Sequence, residues 1–353
     1  MEARLVEALE MVAPGTAIRR AIDNIVRART GALLVFADEE DIRPMISGGI
    51  QIDVELAPMI LYELAKMDGA ILLDRTGSRI RHANVQLMPD ASIESEETGT
   101  RHRTAERVAK QIGALAISIS AARDVVTIYI SDMRYIMENI RIILDSANQA
   151  LQTLEKFKER LTHVSTSLSA LEFEDAVTLH DVLSVVQRLE MVLVIVQEIE
   201  RYIIELGTEG RLVQLQLEMM MLHVREDREA LLADYLPELT PETLREAREA
   251  LGALESDDLL SLARLGQILG YEAGIDMLEK HLEPRGYRML RKIPRLPQEV
   301  IVALVGHYGH LSAIIDSGPE ELAEVECCTL SRAKDIKEGL NRLRELNLLE
   351  RYG

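Results

Sequence analysis

Residues 57–87 read APMILYELAKMDGAILLDRTGSRIRHANVQL, and this stretch decides the fold of the first third of the chain. Ala57–Met67 reads as a helix that stops at Asp68-Gly69, an Asp-Gly turn. Ala70–Asp74 follows as a short buried strand, Arg75–Ser78 as a turn, and Arg79–Leu87 as the partner strand. A helix, a tight turn and two paired strands in so short a span predict a mixed α/β domain.

The flanking segments extend that reading. Apolar positions Leu5, Leu9, Val12, Ile18, Ile22 and Ile25 predict a helix over residues 3–28, and Gly31–Ala37 (GALLVFA) predicts a buried strand. Gly48-Gly49 marks a loop. Asp90–Gly99 is a polar, acidic loop, and Ala105–Gln111 a helix with Gly113 just past its end. Leu115–Ser120 and Val125–Ile130 are strands joined by residues 121–124. The expected first domain is therefore α/β with a central mixed sheet, over residues 1–140.

From about residue 133 the strand signals vanish. Ile136, Ile140, Ile143, Leu144, Ala147, Leu151 and Leu154 recur at helical spacing, and Leu179–Leu206 and Gly210–Leu232 predict two further long helices. Residues 141–285 are thus expected to form an all-α spine. In the last part, shorter helices are broken by Pro237, Pro241, Pro284, Pro294, Pro297 and Pro319. Bases and acids balance from Arg288 onward, in a chain of net charge −19, so an all-α domain over 286–353 is the place for an anionic partner.

Composition narrows the class. Of 353 residues, 47% are hydrophobic but only 3% aromatic, with no Trp, so the cores are aliphatic. The acidity excludes a general nucleic-acid coat protein and confines any DNA contact to a local surface. Cys327 and Cys328 are adjacent, with no metal-ligand spacing, and read as two small apolar residues. The N-terminal residues lack an apolar signal region, and the longest aliphatic run, Met191–Val196, is too short to cross a bilayer. A cytoplasmic protein without a membrane segment is expected.

Two motifs carry chemistry. Thr104 reads as the N-cap of the helix that follows, which would set Thr100-Arg101-His102-Arg103-Thr104 at a helix N-terminus favourable to an anion. Arg101 and Arg103 offer guanidinium forks, and Thr100, His102 and Thr104 further donors. Asp68 offers a carboxylate that can hold a metal or accept a proton, and Gly69 permits close backbone approach. Either motif alone is an ordinary feature, a turn or a solvated basic loop. Together they fit phosphoryl or nucleotidyl transfer, which works by positioning and charge neutralisation. No Gly-rich loop ending in Gly-Lys-Ser/Thr is present, which excludes that ATPase class.

Gly99–Ala109 (GTRHRTAERVA), with Met67–Asp74 (MDGAILLD) upstream, resembles the diadenylate cyclase domain, and the whole chain is similar to the DNA integrity scanning (DisA) family. The resemblance implies a cyclase domain, a helical spine and a C-terminal helix-hairpin-helix domain, in that order. It implies that two ATP are joined into cyclic di-AMP with release of two pyrophosphates, using Mg²⁺ or Mn²⁺, in a homo-octamer. Asp68 would bind metal and activate the 3′-hydroxyl. Gly69 would contact the nucleotide, Leu87 the adenine, Thr100 to Thr104 the triphosphate, and Ser120 a phosphate; the catalytic set is Asp68, Arg101, His102 and Arg103.

Pro297–Tyr308, Gly309-His310 and Leu311–Ser317 read as helix, hairpin, helix, and Pro319–Glu326 with Ser331–Leu346 as a second such unit. By the same resemblance these would bind the backbone of branched or damaged DNA, with Lys334 and Lys337 holding phosphates. The chain departs from the family at Cys327-Cys328-Thr329, where the hairpin is expected to read Gly-x-Gly, so DNA binding there is expected to be weakened. The competing readings are a DNA-binding architectural protein with a regulatory nucleotide site, and a scaffold built on the helical spine.

Overall fold

The computed structural model describes residues 3–121, 125–254, 257–274 and 276–352, with side chains described as far as residue 346. The turn expected at 121–124 lies, from residue 122 on, outside the described residues. The chain packs as two compact units: residues 1–148 with 200–215, and residues 149–199 with 216–353.

The first unit opens with α1 (Ala3–Val12) and α2 (Ala17–Arg27). The single helix expected over 3–28 is thus broken. Pro14 lacks an amide, Gly15 takes φ +102°, and Thr16 starts α2 afresh, its hydroxyl accepting from the Arg19 amide at 3.1 Å. A Cβ on Gly15 would collide with the Thr208 side chain, and the Thr208 amide donates to Pro14 O at 3.1 Å, so the break is where residues 207–208 seat.

β1 (Ala32–Phe36), α3 (Glu39–Ile42), β2 (Ile46–Ser47), β3 (Ile50–Glu55), α4 (Pro58–Leu64), β4 (Ala70–Leu73) and β5 (Arg79–Leu87) follow. α5 (Thr100–Ile112), β6 (Leu115–Ile119), β7 (Val126–Ile130) and β8 (Met133–Ile136) complete the domain. The sheet runs β2-β5-β4-β1-β6-β7-β8, with β3 also paired to β5; β1 and β4 are parallel and all other pairs antiparallel. β2, β3 and β8 were not expected. β2 is only two residues long and β8 four, whereas β3 (IQIDVE) carries the apolar–polar alternation of a half-buried strand, a signal that was passed over.

Both sheet faces are covered. Ile22, Ile25, Leu61 and Leu9 of the first helices pack with Leu34, Ile71, Ile117 and Ile128 on one face. Ala105, Val108 and Ala109 of α5 pack with Leu33, Val35, Leu72 and Ala116 on the other. β1 and β7 are buried at every position, which explains their unbroken apolar sequence.

The second unit is all-helical. α6 (Ile140–Glu174) and α7 (Leu179–Leu206) contribute to both units. α8 (Arg211–Met220) and α9 (Val224–Tyr235) replace the one helix expected over 210–232. The break is at His223, held at φ +67°, a left-handed conformation that ends helical hydrogen bonding. α10 (Pro241–Gly252), α11 (Leu262–Ile268), α12 (Tyr287–Arg291), α13 (Gln298–Tyr308), α14 (Leu311–Asp316), α15 (Pro319–Leu322) and α16 (Leu330–Tyr352) complete it. α12 to α16 share one aliphatic core, including Leu290, Leu304, Ile314 and Ile336.

Buried charge fastens that core to α6 and α9. Glu172 accepts from Arg288 Nη1 at 2.5 Å and from the Tyr235 hydroxyl at 2.6 Å. Asp234, 1% exposed, accepts from the amides of Gly286 and Tyr287, each at 2.7 Å, and of Arg288 at 2.9 Å, thereby capping α12. An amide cannot accept three such bonds with one oxygen. Asp234→Asn is therefore expected to cost about 2 kcal/mol, read as a lowered denaturation midpoint by circular dichroism; an unchanged midpoint would show that the cap contributes nothing.

Candidate nucleotide site

A cleft of about 660 Å³ opens where the parallel strands β1 and β4 begin and their antiparallel neighbours β6 and β5 end. Its floor is apolar, made by Leu33, Ala70, Val85, Leu87 and Ile119. Its rim is polar: Asp68 and Gly69 on one side, Gly99 to His102 and Thr104 on another, Ser120 on a third. The structure thus brings together Asp68, Gly69, Leu87, Thr100, Arg101, His102, Thr104 and Ser120. Arg103 is exposed and outside the lining; its Nε donates to Glu97 O at 3.1 Å.

The start of α5 differs from expectation. Gly99 is the N-cap, at φ −82° and ψ 138°, and the Arg103 amide already bonds Gly99 O at 2.9 Å. Thr104 lies inside the helix and is not its cap. The basic segment is the first turn itself, and the glycine cap has no side chain to occupy the free amides. First-turn N–H groups, the positive end of the helix dipole, Arg101 and His102 therefore converge on one place without any acid in that turn.

Gly69 has φ +97°, and a Cβ there would lie 2.9 Å from the Asn84 carbonyl carbon and Val85 O. Asn84 itself has φ +54°, in a bulge where the β4–β5 register shifts. Glycine at 69 is thus required by the fold as well as by any ligand. It turns the chain sharply enough to leave Asp68 fully exposed at the cleft mouth.

Arg101 crosses the cleft towards Asp68, with Nη2 3.6 Å from Asp68 Oδ1. The pair is long and wet, so it holds the two groups near each other at little cost to release. Arg101 lies directly over Gly31: a Cβ at 31 would overlap its guanidinium. Beneath the helix start, the Tyr129 hydroxyl donates to Glu97 Oε1 at 2.8 Å and lies 2.9 Å from His102 Nδ1. Arg134 Nε pairs with the same Glu97 oxygen at 2.7 Å. Burial first, then the Glu97 carboxylate, push the Tyr129 hydroxyl far above the usual phenol range, so it stays protonated. Glu97, Tyr129, Arg134 and Gly31 were missed as site residues. A lone Tyr in an otherwise aliphatic strand facing α5 was the available signal.

Among the described residues no three His, Cys, Asp or Glu side chains gather to hold a metal. The donor set fits a divalent cation of the kind shared with a phosphate ligand, one exposed carboxylate supplying the protein's part.

An α/β sheet covered on both faces, with an apolar floor beside an uncapped basic helix start, defines a nucleotide-binding domain. Residues 19–133 match the family model described as DisA bacterial checkpoint controller nucleotide-binding, and residues 137–278 match the DisA bacterial checkpoint controller linker region. The chain is 46% identical to the DNA integrity scanning protein DisA of Clostridium tetani, over 97% of this chain and 94% of that protein. It is 47% identical to the protein of that name from Bacillus licheniformis, over 98% and 96%, and 46% identical to that of Frankia alni, again over 98% and 96%. The chain belongs to the DisA family. Among the described residues no helix is long and apolar enough to cross a membrane.

The seat of Arg101 is open to test. Gly31→Ala displaces the guanidinium while leaving a residue without positive φ in place. It is expected to weaken nucleotide binding about tenfold, the scale of one charge-assisted hydrogen bond, with little change in melting temperature. Unchanged affinity would show that Arg101 does not act from this position.

Proposed function

We propose that this chain is a diadenylate cyclase that joins two ATP into cyclic di-AMP and releases two pyrophosphates. The observation that carries the reading is the convergence of the uncapped α5 start, Arg101 and His102 opposite the Asp68 carboxylate, over an apolar floor. Leu87, Leu33 and Val85 offer the adenine a dry surface. The first-turn amides, Thr100, Arg101, His102 and Thr104 hold the triphosphate, and Ser120 reaches a phosphate from the end of β6. Arg103, outside the lining, acts by fastening the Glu97 loop at Glu97 O.

In each of the two bonds formed, the 3′-oxygen of one ATP attacks the α-phosphorus of the other, its proton passing to solvent with the help of the Asp68 carboxylate as the bond to the departing pyrophosphate breaks. Asp68 is the residue that would hold Mg²⁺ or Mn²⁺ together with phosphate oxygens, and the ion supplies charge neutralisation at the reacting phosphates. Arg101 and the α5 amides stabilise the charge that builds on the departing pyrophosphate. The cleft has room for one nucleotide, so a second copy of the site must face it, in keeping with a homo-octamer. Residues 1–140 are the cyclase, 141–285 the spine and 286–353 the part that meets branched or damaged DNA, in a cytoplasmic enzyme.

Asp68→Asn is expected to leave the fold intact and to lower cyclic di-AMP formation from ATP by about a hundredfold or more, measured by mass spectrometry of the product. Near-normal turnover would sink the assignment, and binding of ATP by the parent without turnover would favour the architectural reading.

α13 with α14, and α15 with α16, are the helix-hairpin-helix pairs of this proposal. Lys334 is exposed, whereas Lys337 is half-buried and its Nζ donates to Ile315 O, so Lys334 is the freer phosphate ligand. In the second hairpin Cys327 takes φ +66°, the conformation glycine would adopt. Its carbonyl accepts from Arg332 Nη1 at 3.0 Å, and the Thr329 hydroxyl accepts from the Arg332 amide at 3.4 Å. The Arg332 guanidinium and amide, donors that a phosphate could use, are thus engaged internally. A Cys327→Gly, Thr329→Gly variant is expected to bind a four-way junction several-fold more tightly in a gel shift; a parent that already binds as well would show the hairpin to be unimpaired.

A further inference from the structure

A further cavity, of about 250 Å³, opens in the first unit at the end of the sheet away from the nucleotide cleft. The cleft is lined by Leu33 of β1 and Ile119 of β6, whereas this cavity is lined by Phe36 and Leu115, at the other ends of the same two strands. Gly113, the left-handed C-cap of α5, is in its wall, so the two cavities lie at opposite ends of that helix. Its floor is apolar: Phe36 is 1% exposed, and Met11 and Leu115 are partly buried.

Its charged groups come from α1 and from the β4–β5 turn. Arg4 and Glu7 lie one helical turn apart, a spacing at which opposite charges can pair. Here they do not. Arg4 donates through Nη2 to Gly113 O at 2.7 Å and through Nη1 to Ser131 Oγ at 3.0 Å, both neutral acceptors, and its remaining N–H groups are donors to spare. Among the described residues neither Arg4 nor Glu7 has an ion-pair partner. Arg75 adds a second guanidinium. The Asp74 carboxylate holds its turn, accepting from the Arg79 amide at 2.8 Å and the Ser78 hydroxyl at 2.6 Å. Gly77, at φ +69°, lets that turn pack on Phe36, whose Cε1 would lie 3.2 Å from a Cβ there. Arg75 is only loosely paired, its Nη1 3.4 Å from Asp38 Oδ2 with both side chains more than half exposed.

An unpaired cation and an unpaired anion beside an apolar floor match a ligand that carries both charges one carbon apart and an aliphatic tail. A simple fatty acid would set its carboxylate near Glu7, and a simple amine would meet two guanidiniums. We propose that this cavity binds a small apolar α-amino acid, its carboxylate on Arg4 and Arg75, its ammonium on Glu7 and its side chain on Met11, Phe36 and Leu115. Guanidinium forks match a carboxylate, and a cavity of this size suits a ligand smaller than a nucleotide. The site is separate from the nucleotide cleft and stands whatever the cleft binds.

The test uses the full-length protein labelled with ¹³C-methyl methionine, in which Met11→Leu identifies the Met11 signal. L-Leucine is titrated against two analogues with the same tail, 4-methylpentanoate without the amine and 3-methylbutylamine without the carboxylate. L-Leucine is expected to shift the Met11 signal saturably and to leave the signal of Met67, beside Asp68, in place. Each analogue is expected to bind about tenfold more weakly, the scale of one charge-assisted hydrogen bond. Glu7 is exposed, so Glu7→Gln is expected to fold normally, to weaken L-leucine about tenfold and to bind 4-methylpentanoate at least as well as wild type. The inference is overturned by the absence of a saturable Met11 shift with L-leucine, or by equal binding of 4-methylpentanoate and L-leucine. It is overturned equally by a Glu7→Gln protein that binds L-leucine as wild type does, or that loses all three ligands alike.

Discussion

The close approach of α5 to the start of β1 sets everything else in the nucleotide-binding unit. Arg101 can extend over the strand only because residue 31 has no Cβ, and it can face Asp68 only because Gly69 turns sharply against the bulge at Asn84. Two glycines, each just before one of the neighbouring parallel strands β1 and β4, thus define the width of the cleft from beneath, while Gly99 leaves the helix start uncapped from above. Substituting Gly31 would move the Arg101 guanidinium, whereas substituting Gly69 would also force the backbone of Asn84 and Val85 apart. The geometry is held by backbone, which explains how a largely solvent-exposed site stays organised.

Much of this was legible in the residues. The helix–turn–strand–turn–strand reading of residues 57–87 survives with ends trimmed by a few residues, and α7 matches its expected bounds. What failed did so for identifiable reasons. The helix over 3–28 broke at Pro14-Gly15, where Pro14 lacks an amide and Gly15 takes positive φ. α5 began five residues early, since Gly99 already supplies the non-helical cap that Thr104 was expected to provide. β2 and β8 are too short to show a period, while the alternation of β3 (IQIDVE) was legible and was missed. Glu97 and Tyr129 were invisible as a pair because they are joined only by the way the acidic loop lies on α5. Arg107 Nε to Ile93 O at 2.8 Å and Lys110 Nζ to Glu94 O at 3.1 Å hold that loop down.

The helical unit uses charge differently. In the nucleotide cleft Asp68 and Arg101 are exposed and loosely paired, ready to exchange partners. In the second unit Arg228 bonds Glu190 through Nε at 2.6 Å and Nη2 at 2.9 Å, both side chains nearly buried. Arg288, Glu172 and Asp234 form a second such set. Removing one member of a buried pair leaves an uncompensated charge, so these contacts fix which helices can pack together more than they add to stability. They join the C-terminal helices to the preceding ones within one compact unit.

Cys327 is a non-glycine residue in a left-handed conformation, held there while its neighbour Cys328 fills the core beneath. The path of the hairpin is therefore dictated by packing, and the local backbone preference is overruled at some cost in strain. Replacing a functional residue with a better-fitting one usually gains stability at the expense of activity. Here the two point the same way. Glycine at 327 would relieve the strain and clear the approach to the amides at once, so this position lies off both optima, and selection for fold stability alone would move the hairpin towards a more open ligand surface.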